Sequence, residues 1–149
     1  MEEELSIKMW TGEQWAVFVV PVILGFISGV LSPMKDAGKK LNARPPNYVF
    51  GIVWTILFLL YGTAFSFSLE DEANRIMNIV FYSLNLVCLI MWPFVYNRFG
   101  QKFGLYLLLV ILILTIVCMN ISSMYAKICL SPLIGWEIFA MMLNFAIVG

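Results

Sequence analysis

The side chains of this chain that are equipped for chemistry are aromatic and amide groups, because the sequence contains no histidine. Histidine is the commonest general base and a frequent metal ligand, so Ser-His-Asp catalysis, Cys-His catalysis and a His-ligated haem are excluded. The three cysteines, Cys88, Cys118 and Cys129, are widely spaced and form no Cys-x-x-Cys pair, which argues against a disulfide framework or a zinc site. We therefore expect no metal and no cofactor, and recognition that rests on stacking, shape and amide hydrogen bonds.

A stripe of polar and aromatic side chains runs along one predicted helix. Its members are separated by steps of four, three, four, three and four residues, which place them on a single helical face. They are Asn78, Tyr82, Asn85, Leu89, Trp92 and Tyr96. Membrane helices bury their polar residues against one another, because lipid offers polar groups no partner. This stripe should therefore face the interior of a bundle.

Other predicted helices carry shorter faces of the same kind. They hold Pro21, Gly25 and Gly29; Trp54, Phe58 and Phe65, with Tyr61 and Gly62 alongside; and Trp136, Ala140 and Asn144. Gly25 and Gly29 form a G-x-x-x-G pair, which permits two helix backbones to approach closely. Together the faces predict an interior with aromatic walls and a few amides, suited to a flat, largely apolar ligand such as a porphyrin or a sterol. The alternative is that the aromatic residues pack the helices together and the amides bond across them.

Glu137 is the only acidic residue inside a predicted span. A carboxylate inside a membrane is costly, so this residue is a functional candidate by default. Two other interpretations are open. The residue lies about two turns from the outer end of its span, so it could reach the membrane interface. It could also be protonated.

The elements that must position these residues are transmembrane helices. Of the 149 residues, 62% are hydrophobic and 12% are charged, whereas a soluble domain has about 45–50% apolar and about 25% charged residues. Five apolar stretches approach the length of about 20 residues that a span needs. They cover residues 15–31, 48–69, 76–96, 103–124 and 128–148. The prediction is a single all-α membrane domain, residues 1–149, built as an integral bundle of five transmembrane helices.

The basic residues that flank the spans predict the orientation of the bundle. The first connection contains Lys35, Lys39, Lys40 and Arg44, and the third contains Arg98 and Lys102. The N-terminal segment, the second connection and the fourth connection contain one basic residue each. The positive-inside rule then places the first and third connections on the cytoplasmic side. The N-terminal Met1-Glu2-Glu3-Glu4 lacks the positive charge of a signal peptide, so the first stretch is expected to remain a span. The net charge of zero leaves no electrostatic footprint for nucleic acid, and the expected surrounding partner is membrane lipid.

The first connection, residues 32–47, is the longest and the most basic of the four. It contains Pro45 and Pro46, which impose an extended approach to the second helix because proline restricts the residue before it. The connection is a candidate lid over the cytoplasmic end of the bundle. An ordinary solvated loop is the alternative.

Two motifs resemble those of the TspO/MBR family. Residues 44–64, RPPNYVFGIVWTILFLLYGTA, are similar to the family's second-helix signature, in which a Pro-Pro pair and an aromatic residue precede Val-Trp-Thr and a later glycine. Residues 132–144, PLIGWEIFAMMLN, are similar to its fifth helix. Pro21, Gly25 and Gly29 resemble the first-helix proline and glycines, Leu84-Asn85 the third-helix Leu-Asn, and Arg98 the basic residue that ends that helix.

The resemblance implies a five-helix bundle, often a homodimer, with a ligand cavity that the first connection closes. Its ligands would be tetrapyrroles such as protoporphyrin IX, cholesterol, or drugs of the benzodiazepine type. The sterol-recognition pattern Leu/Val-x(1–5)-Tyr-x(1–5)-Lys/Arg does not occur in this sequence. The resemblance also implies a mitochondrial outer membrane location in a eukaryote, or the cell membrane and envelope in a bacterium.

The expected function is that of a membrane receptor or carrier for a hydrophobic planar ligand. The predicted ligand-binding residues are Pro21, Gly25, Pro45, Pro46, Tyr48, Trp54, Phe58, Asn85, Trp92, Trp136, Ala140 and Asn144. One alternative is an enzyme that degrades porphyrin in the light, for which the resemblance implies Trp54 and Trp136 as redox participants. The other alternative is a stress-response scaffold with a vestigial cavity. No acid–base constellation indicates ordinary hydrolytic or transfer chemistry.

Overall fold

The computed structural model of the chain describes residues 10–31 and 47–148, with side chains at 10–31, 49, 51–100 and 102–142. These residues form five α-helices and no strand: α1 (Gly12–Leu31), α2 (Asn47–Ser68), α3 (Arg75–Phe99), α4 (Gln101–Asn120) and α5 (Met124–Val148). Segments of α1 to α4 are long and apolar enough to cross a membrane. The 25 residues of α5 extend over about 37 Å, which also exceeds the hydrocarbon core. The predicted all-α membrane bundle is confirmed.

The five helices form a closed ring in the order α1, α2, α5, α4, α3. Contacts join α1 to α2, α2 to α5, α5 to α4, α4 to α3, and α3 back to α1, and α2 also touches α3 across the middle. Two of these helix pairs, α3 with α4 and α4 with α5, must be neighbours because their connections are short. Gly100 alone separates α3 from α4, at a φ of 98° that favours glycine. Residues 121–123 separate α4 from α5.

The distribution of polarity is that of a protein surrounded by lipid. Large apolar side chains point outward, including Phe26, Val30 and Ile76. Nine polar or charged side chains are buried among the described residues: Gln14, Ser28, Ser66, Ser68, Asn78, Asn85, Thr115, Ser122 and Glu137. Lipid cannot satisfy polar groups, so an apolar exterior around a hydrogen-bonded interior is the stable arrangement. The chain is an integral, multi-pass membrane protein.

Side-chain hydrogen bonds fasten α1, α2 and α3 at the end of the bundle where α1 begins. Gln14 Nε2 donates to the Ser66 carbonyl at 3.1 Å, and Ser66 Oγ donates to the Gln14 carbonyl at 2.6 Å. Asn78 Nδ2 donates to the Ser68 carbonyl at 3.2 Å. Arg75 pairs with Glu13 at 2.7 Å, but both side chains are exposed, so this pair contributes little. The reciprocal Gln14–Ser66 pair fixes the register of α1 against α2.

The closest approach of α1 to α2 occurs at Gly62, not at the G-x-x-x-G pair. A Cβ on Gly62 would overlap the backbone carbonyl of Phe18, whereas a Cβ on Gly29 would meet nothing. Gly25 does need to lack a Cβ, but the atoms that a Cβ would overlap belong to the side-chain ring of Phe58 and not to a helix backbone. Within the chain, the expectation that Gly25 and Gly29 together permit backbone approach is therefore wrong. A spacing rule identifies small residues without showing which of them faces a neighbouring helix.

The fourth helix ends earlier than the predicted span, at Asn120 instead of residue 124. Ser122 Oγ donates to the Cys118 carbonyl at 2.5 Å and lies 2.6 Å from the Tyr82 hydroxyl oxygen of α3. These bonds hold the turn against the bundle. Hydropathy did not reveal the stop, because Ile121 and Met124 are as apolar as the helix they follow.

Candidate ligand-binding site

Two indoles from different helices meet in the bundle. The ring centroids of Trp54 in α2 and Trp136 in α5 lie 6.3 Å apart, with their planes at 89°. Phe58 flanks Trp54 at 5.6 Å, and Phe139 flanks Trp136 at 5.1 Å. The α2–α5 contact brings these residues together, although 82 positions separate the two tryptophans in the sequence. The indoles are partly buried and so retain ring surface that a planar ligand could cover.

One face of α1 packs against this aromatic group. Pro21 is buried, and Gly25 follows one turn later, where the Phe58 ring lies over its backbone. A side chain at position 25 would displace Phe58, which in turn packs on Trp54. Ala140 is buried one turn after Trp136 on α5. Gly25, Phe58, Trp54 and Trp136 thus form a continuous series of contacts across α1, α2 and α5.

A polar cluster lies in the middle of the bundle, where α3, α4 and α5 meet. Asn85 Nδ2 donates to Thr115 Oγ1 at 2.9 Å, and Thr115 Oγ1 lies 2.8 Å from Glu137 Oε1. All three side chains are 0% exposed. Glu137 Oε2 and Asn85 Oδ1 have no hydrogen-bond partner among the residues that the structure describes. Glu137 does not reach the interface, because the inward face of α5 points its carboxyl at α4.

The half of the bundle beyond this cluster, toward the start of α1, is filled by aromatic packing. Tyr82 stacks on Phe65 at 5.1 Å and meets Tyr61 at 5.5 Å. The Tyr61 hydroxyl donates to the Tyr82 carbonyl at 2.5 Å. For these residues the packing interpretation holds, since each is buried against neighbours from another helix. The candidate site is therefore confined to the half that contains Trp54.

Trp92 is positioned by a contact between α3 and α4. Its Nε1 donates to the Gly104 carbonyl at 2.9 Å, and its ring packs against Tyr96 at 5.7 Å. Trp54 and Trp136 instead belong to the α2–α5 contact. The structure thus gives Trp92 a role in joining α3 to α4, and its ligand-binding role stays a prediction.

A Trp92→Phe substitution should separate these two roles. It keeps an aromatic ring but removes the donor to Gly104, so we expect the free energy of unfolding to fall by about 1 kcal/mol. If Trp92 serves only to join α3 to α4, the affinity for a planar ligand should stay unchanged. Thermal unfolding and ligand titration of the same detergent-purified sample check both. A loss of affinity with unchanged thermal stability would instead assign Trp92 to the ligand.

Some predicted site residues lie outside the described part of the chain. Pro45 and Pro46 belong to the first connection, and the side chains of Tyr48 and Asn144 are likewise not described. Thr115 was not among the predicted residues, and Gly62 was placed on the inward face of its helix without its role in close packing. Thr115 had a signal that could have revealed it, because it is the only hydroxyl-bearing side chain in the apolar run 107–117.

Comparison with known proteins agrees with this architecture. The sequence profile of the TspO/MBR family matches residues 17–149. The tryptophan-rich protein TspO of Chlorobaculum tepidum is 31% identical over 119 residues, which cover 72% of this chain and 73% of that protein. The tryptophan-rich protein TspO of Archaeoglobus fulgidus is 33% identical over 116 residues, which cover 73% of this chain and 74% of that protein. With a match that includes α2 to α5 and most of α1, the chain belongs to the TspO/MBR family.

Proposed function

We propose that this chain is a membrane receptor or carrier that binds a hydrophobic planar ligand, a tetrapyrrole or a sterol, beside Trp54 and Trp136. The observation that carries the proposal is the edge-on contact of the two partly buried indoles at 6.3 Å. Large rings with few rotatable bonds provide contact area at low entropic cost. A benzodiazepine-type drug, which is also flat and apolar, would suit the same walls.

The chemistry of the surrounding residues favours binding by shape. The chain has no histidine to ligate a metalloporphyrin, so recognition would depend on stacking and on hydrogen bonds. Gly25 holds open the space that Phe58 occupies next to Trp54. The four basic residues of the first connection would attract the carboxylates of a porphyrin if that connection closes the site.

The double variant Trp54→Phe/Trp136→Phe should bind protoporphyrin IX more weakly than the unmodified chain. Each phenyl ring keeps part of the stacking area, so we expect a loss of about 1–2 kcal/mol, a roughly 5- to 30-fold rise in Kd. A titration in the dark that follows tryptophan quenching measures the affinity, with cholesterol titrated as a competitor to report sterol binding.

Trp15→Phe is the matched control, because Trp15 is exposed near the start of α1. Its variant corrects for quenching outside the site and should keep the original Kd. Both variants must keep the thermal stability of the unmodified chain for the comparison to count. Quenching that only increases in proportion to ligand concentration, as in detergent partitioning, would contradict the proposal and leave the stress-response scaffold as the better function.

Light-dependent porphyrin degradation is a second candidate function, and the same indole contact favours it. An indole within contact distance of an excited macrocycle can give up an electron, and its neighbour at 6.3 Å could share the resulting charge. Illumination of the bound complex in air, with dioxygen as the oxidant, tests it. A new product spectrum that the Trp54→Phe/Trp136→Phe variant does not produce would support an enzyme. Unchanged porphyrin would support a receptor or carrier.

The oligomeric state and the membrane orientation are also proposals, the first of them based on membership of the family. A homodimer is expected, and light scattering of the detergent-purified protein measures the mass of the particle. The positive-inside pattern places the end of the bundle that contains Trp54 on the cytoplasmic side. Labelling of single cysteines introduced into the first connection checks that orientation.

A further inference from the structure

The hydrogen atoms around Thr115 can be counted. Thr115 Oγ1 has three close neighbours: Asn85 Nδ2 at 2.9 Å, the Ile111 carbonyl oxygen at 2.8 Å and Glu137 Oε1 at 2.8 Å. The amide nitrogen can only donate and the carbonyl can only accept, while the hydroxyl has a single hydrogen. With Glu137 ionised, that one hydrogen would have to serve two acceptors. With a hydrogen on Glu137 Oε1, all three contacts become hydrogen bonds.

The surroundings of Glu137 also oppose a charge. The side chain is 0% exposed, and Oε2 has no partner among the described residues. The titratable groups close enough to interact electrostatically with it are the Tyr61 phenol of α2 and the Cys118 thiol of α4, neither of which is a cation. The basic residues of the described helices lie in first or last turns: Arg75, Arg98, Lys102 and Lys127. Removing an unpaired carboxylate from water at this position would destabilise the fold by roughly several kcal/mol.

We propose that Glu137 is a proton-binding site in the membrane interior, and that its proton is linked to ligand binding at the neighbouring Trp136. In the resting protein Glu137 Oε1–H donates to Thr115 Oγ1, Thr115 Oγ1–H donates to the Ile111 carbonyl, and Asn85 Nδ2–H donates to Thr115 Oγ1. A proton needs no cavity, which fits a cluster without exposed surface. The carboxyl thereby joins α5 to α3 and α4 without a buried charge.

Loss of the proton would disturb the ligand site, because the two features share one turn of α5. Trp136 immediately precedes Glu137, and Tyr61, which interacts electrostatically with Glu137, lies two turns beyond Trp54 on α2. An ionised Glu137 would draw in water or move away from Thr115, which would shift α5 and with it the Trp136 ring. This linkage rests on the proposed ligand site, whereas the proton site itself does not.

Infrared spectroscopy tests the proton site directly. The difference spectrum between the unmodified chain and Glu137→Gln, at neutral pH in detergent or bilayers, should contain the C=O stretching band of an un-ionised carboxylic acid. The control is Glu13→Gln, since Glu13 is exposed and paired with Arg75, and its difference spectrum should contain carboxylate bands. Carboxylate bands in the Glu137 spectrum would overturn the proposal. If the thermal stability of the same sample then changed with the sodium or potassium concentration, this would indicate a bound cation in place of the proton.

The pH dependence of ligand affinity tests the linkage. Glutamine can donate from its amide to Thr115 Oγ1 at every pH, and it has no carboxyl group to titrate. The Kd of the Glu137→Gln variant for protoporphyrin IX should therefore stay constant over the pH range in which Glu137 ionises. The Kd of the unmodified chain should rise with pH once Glu137 ionises, by up to about tenfold per pH unit for one linked proton. Parallel pH curves for both proteins would overturn the linkage. Binding by neither protein, with the acid band present, would reject the proposed ligand and leave the proton site standing.

Discussion

Gly62→Ala should lower the free energy of unfolding by about 1–3 kcal/mol, the usual cost of an overpacked core position. The added Cβ would overlap the carbonyl carbon, oxygen and Cα of Phe18. These are backbone atoms, which cannot turn aside as a flexible side chain can, so α1 must move away from α2. That movement would also strain the Gln14–Ser66 bonds one turn farther along. Thermal unfolding of the detergent-purified protein measures the effect.

Gly29→Ala is the matched control for this experiment. It makes the same substitution in α1, the other helix of the α1–α2 contact, but its Cβ meets nothing within 4 Å. Alanine favours a helix by about 1 kcal/mol over glycine, so this variant should be as stable as the unmodified chain or slightly more stable. Equal stability of the two alanine variants would contradict the close approach at Gly62. A large loss at Gly29 would suggest instead that this position meets a second copy of the chain.

Thr115→Val should destabilise the bundle by about 1–3 kcal/mol, since it leaves buried polar groups unpaired. Valine has nearly the shape of threonine, so the packing volume is retained. Asn85 Nδ2 loses its acceptor and Glu137 Oε1 loses its partner, both at positions with no exposed surface. A typical single hydrogen bond between membrane helices contributes only about 0.6 kcal/mol. An effect above that value would show that the cluster acts as a unit.

Two further variants make the Thr115 result specific. Thr55→Val removes a hydroxyl that donates to the Gly51 carbonyl of its own helix at an exposed position, and should change stability by less than about 0.5 kcal/mol. Thr115→Ser restores the hydroxyl and should recover most of the lost stability. If Thr115→Val and Thr55→Val unfold at the same temperature, the cluster does not hold α3, α4 and α5 together.

Coupling within the cluster can be measured in the same experiment. The double variant Thr115→Val/Glu137→Gln, compared with the two single variants, gives the interaction free energy between the two side chains. We expect the double variant to be less destabilised than the sum of the single variants. Once Thr115 has lost its hydroxyl, replacement of the carboxyl removes a group that is already unpaired. Simple additivity would indicate that the 2.8 Å contact contributes nothing.

The sequence by itself determined the class of the protein and the course of its chain. Apolar runs of about 20 residues leave no stable alternative to membrane helices, so the five helices lie close to where hydropathy predicts them. The periodic stripe on α3 was predicted equally well, since Asn78, Tyr82, Asn85, Leu89, Trp92 and Tyr96 are all buried. Helical spacing is a local property, and it indicates which residues share a face.

Only the tertiary structure decided which faces meet. The stripe on α3 splits between two neighbours, because Trp92 bonds to α4 while Tyr82 packs on Phe65 and Tyr61 of α2. Gly62, and not Gly29, contacts the neighbouring helix, and Glu137 points at Thr115, not at the membrane interface. These outcomes depend on how five helices close into a ring, which is settled by long-range steric fit between residues that are distant in the sequence. No pattern within a single helix contains that information.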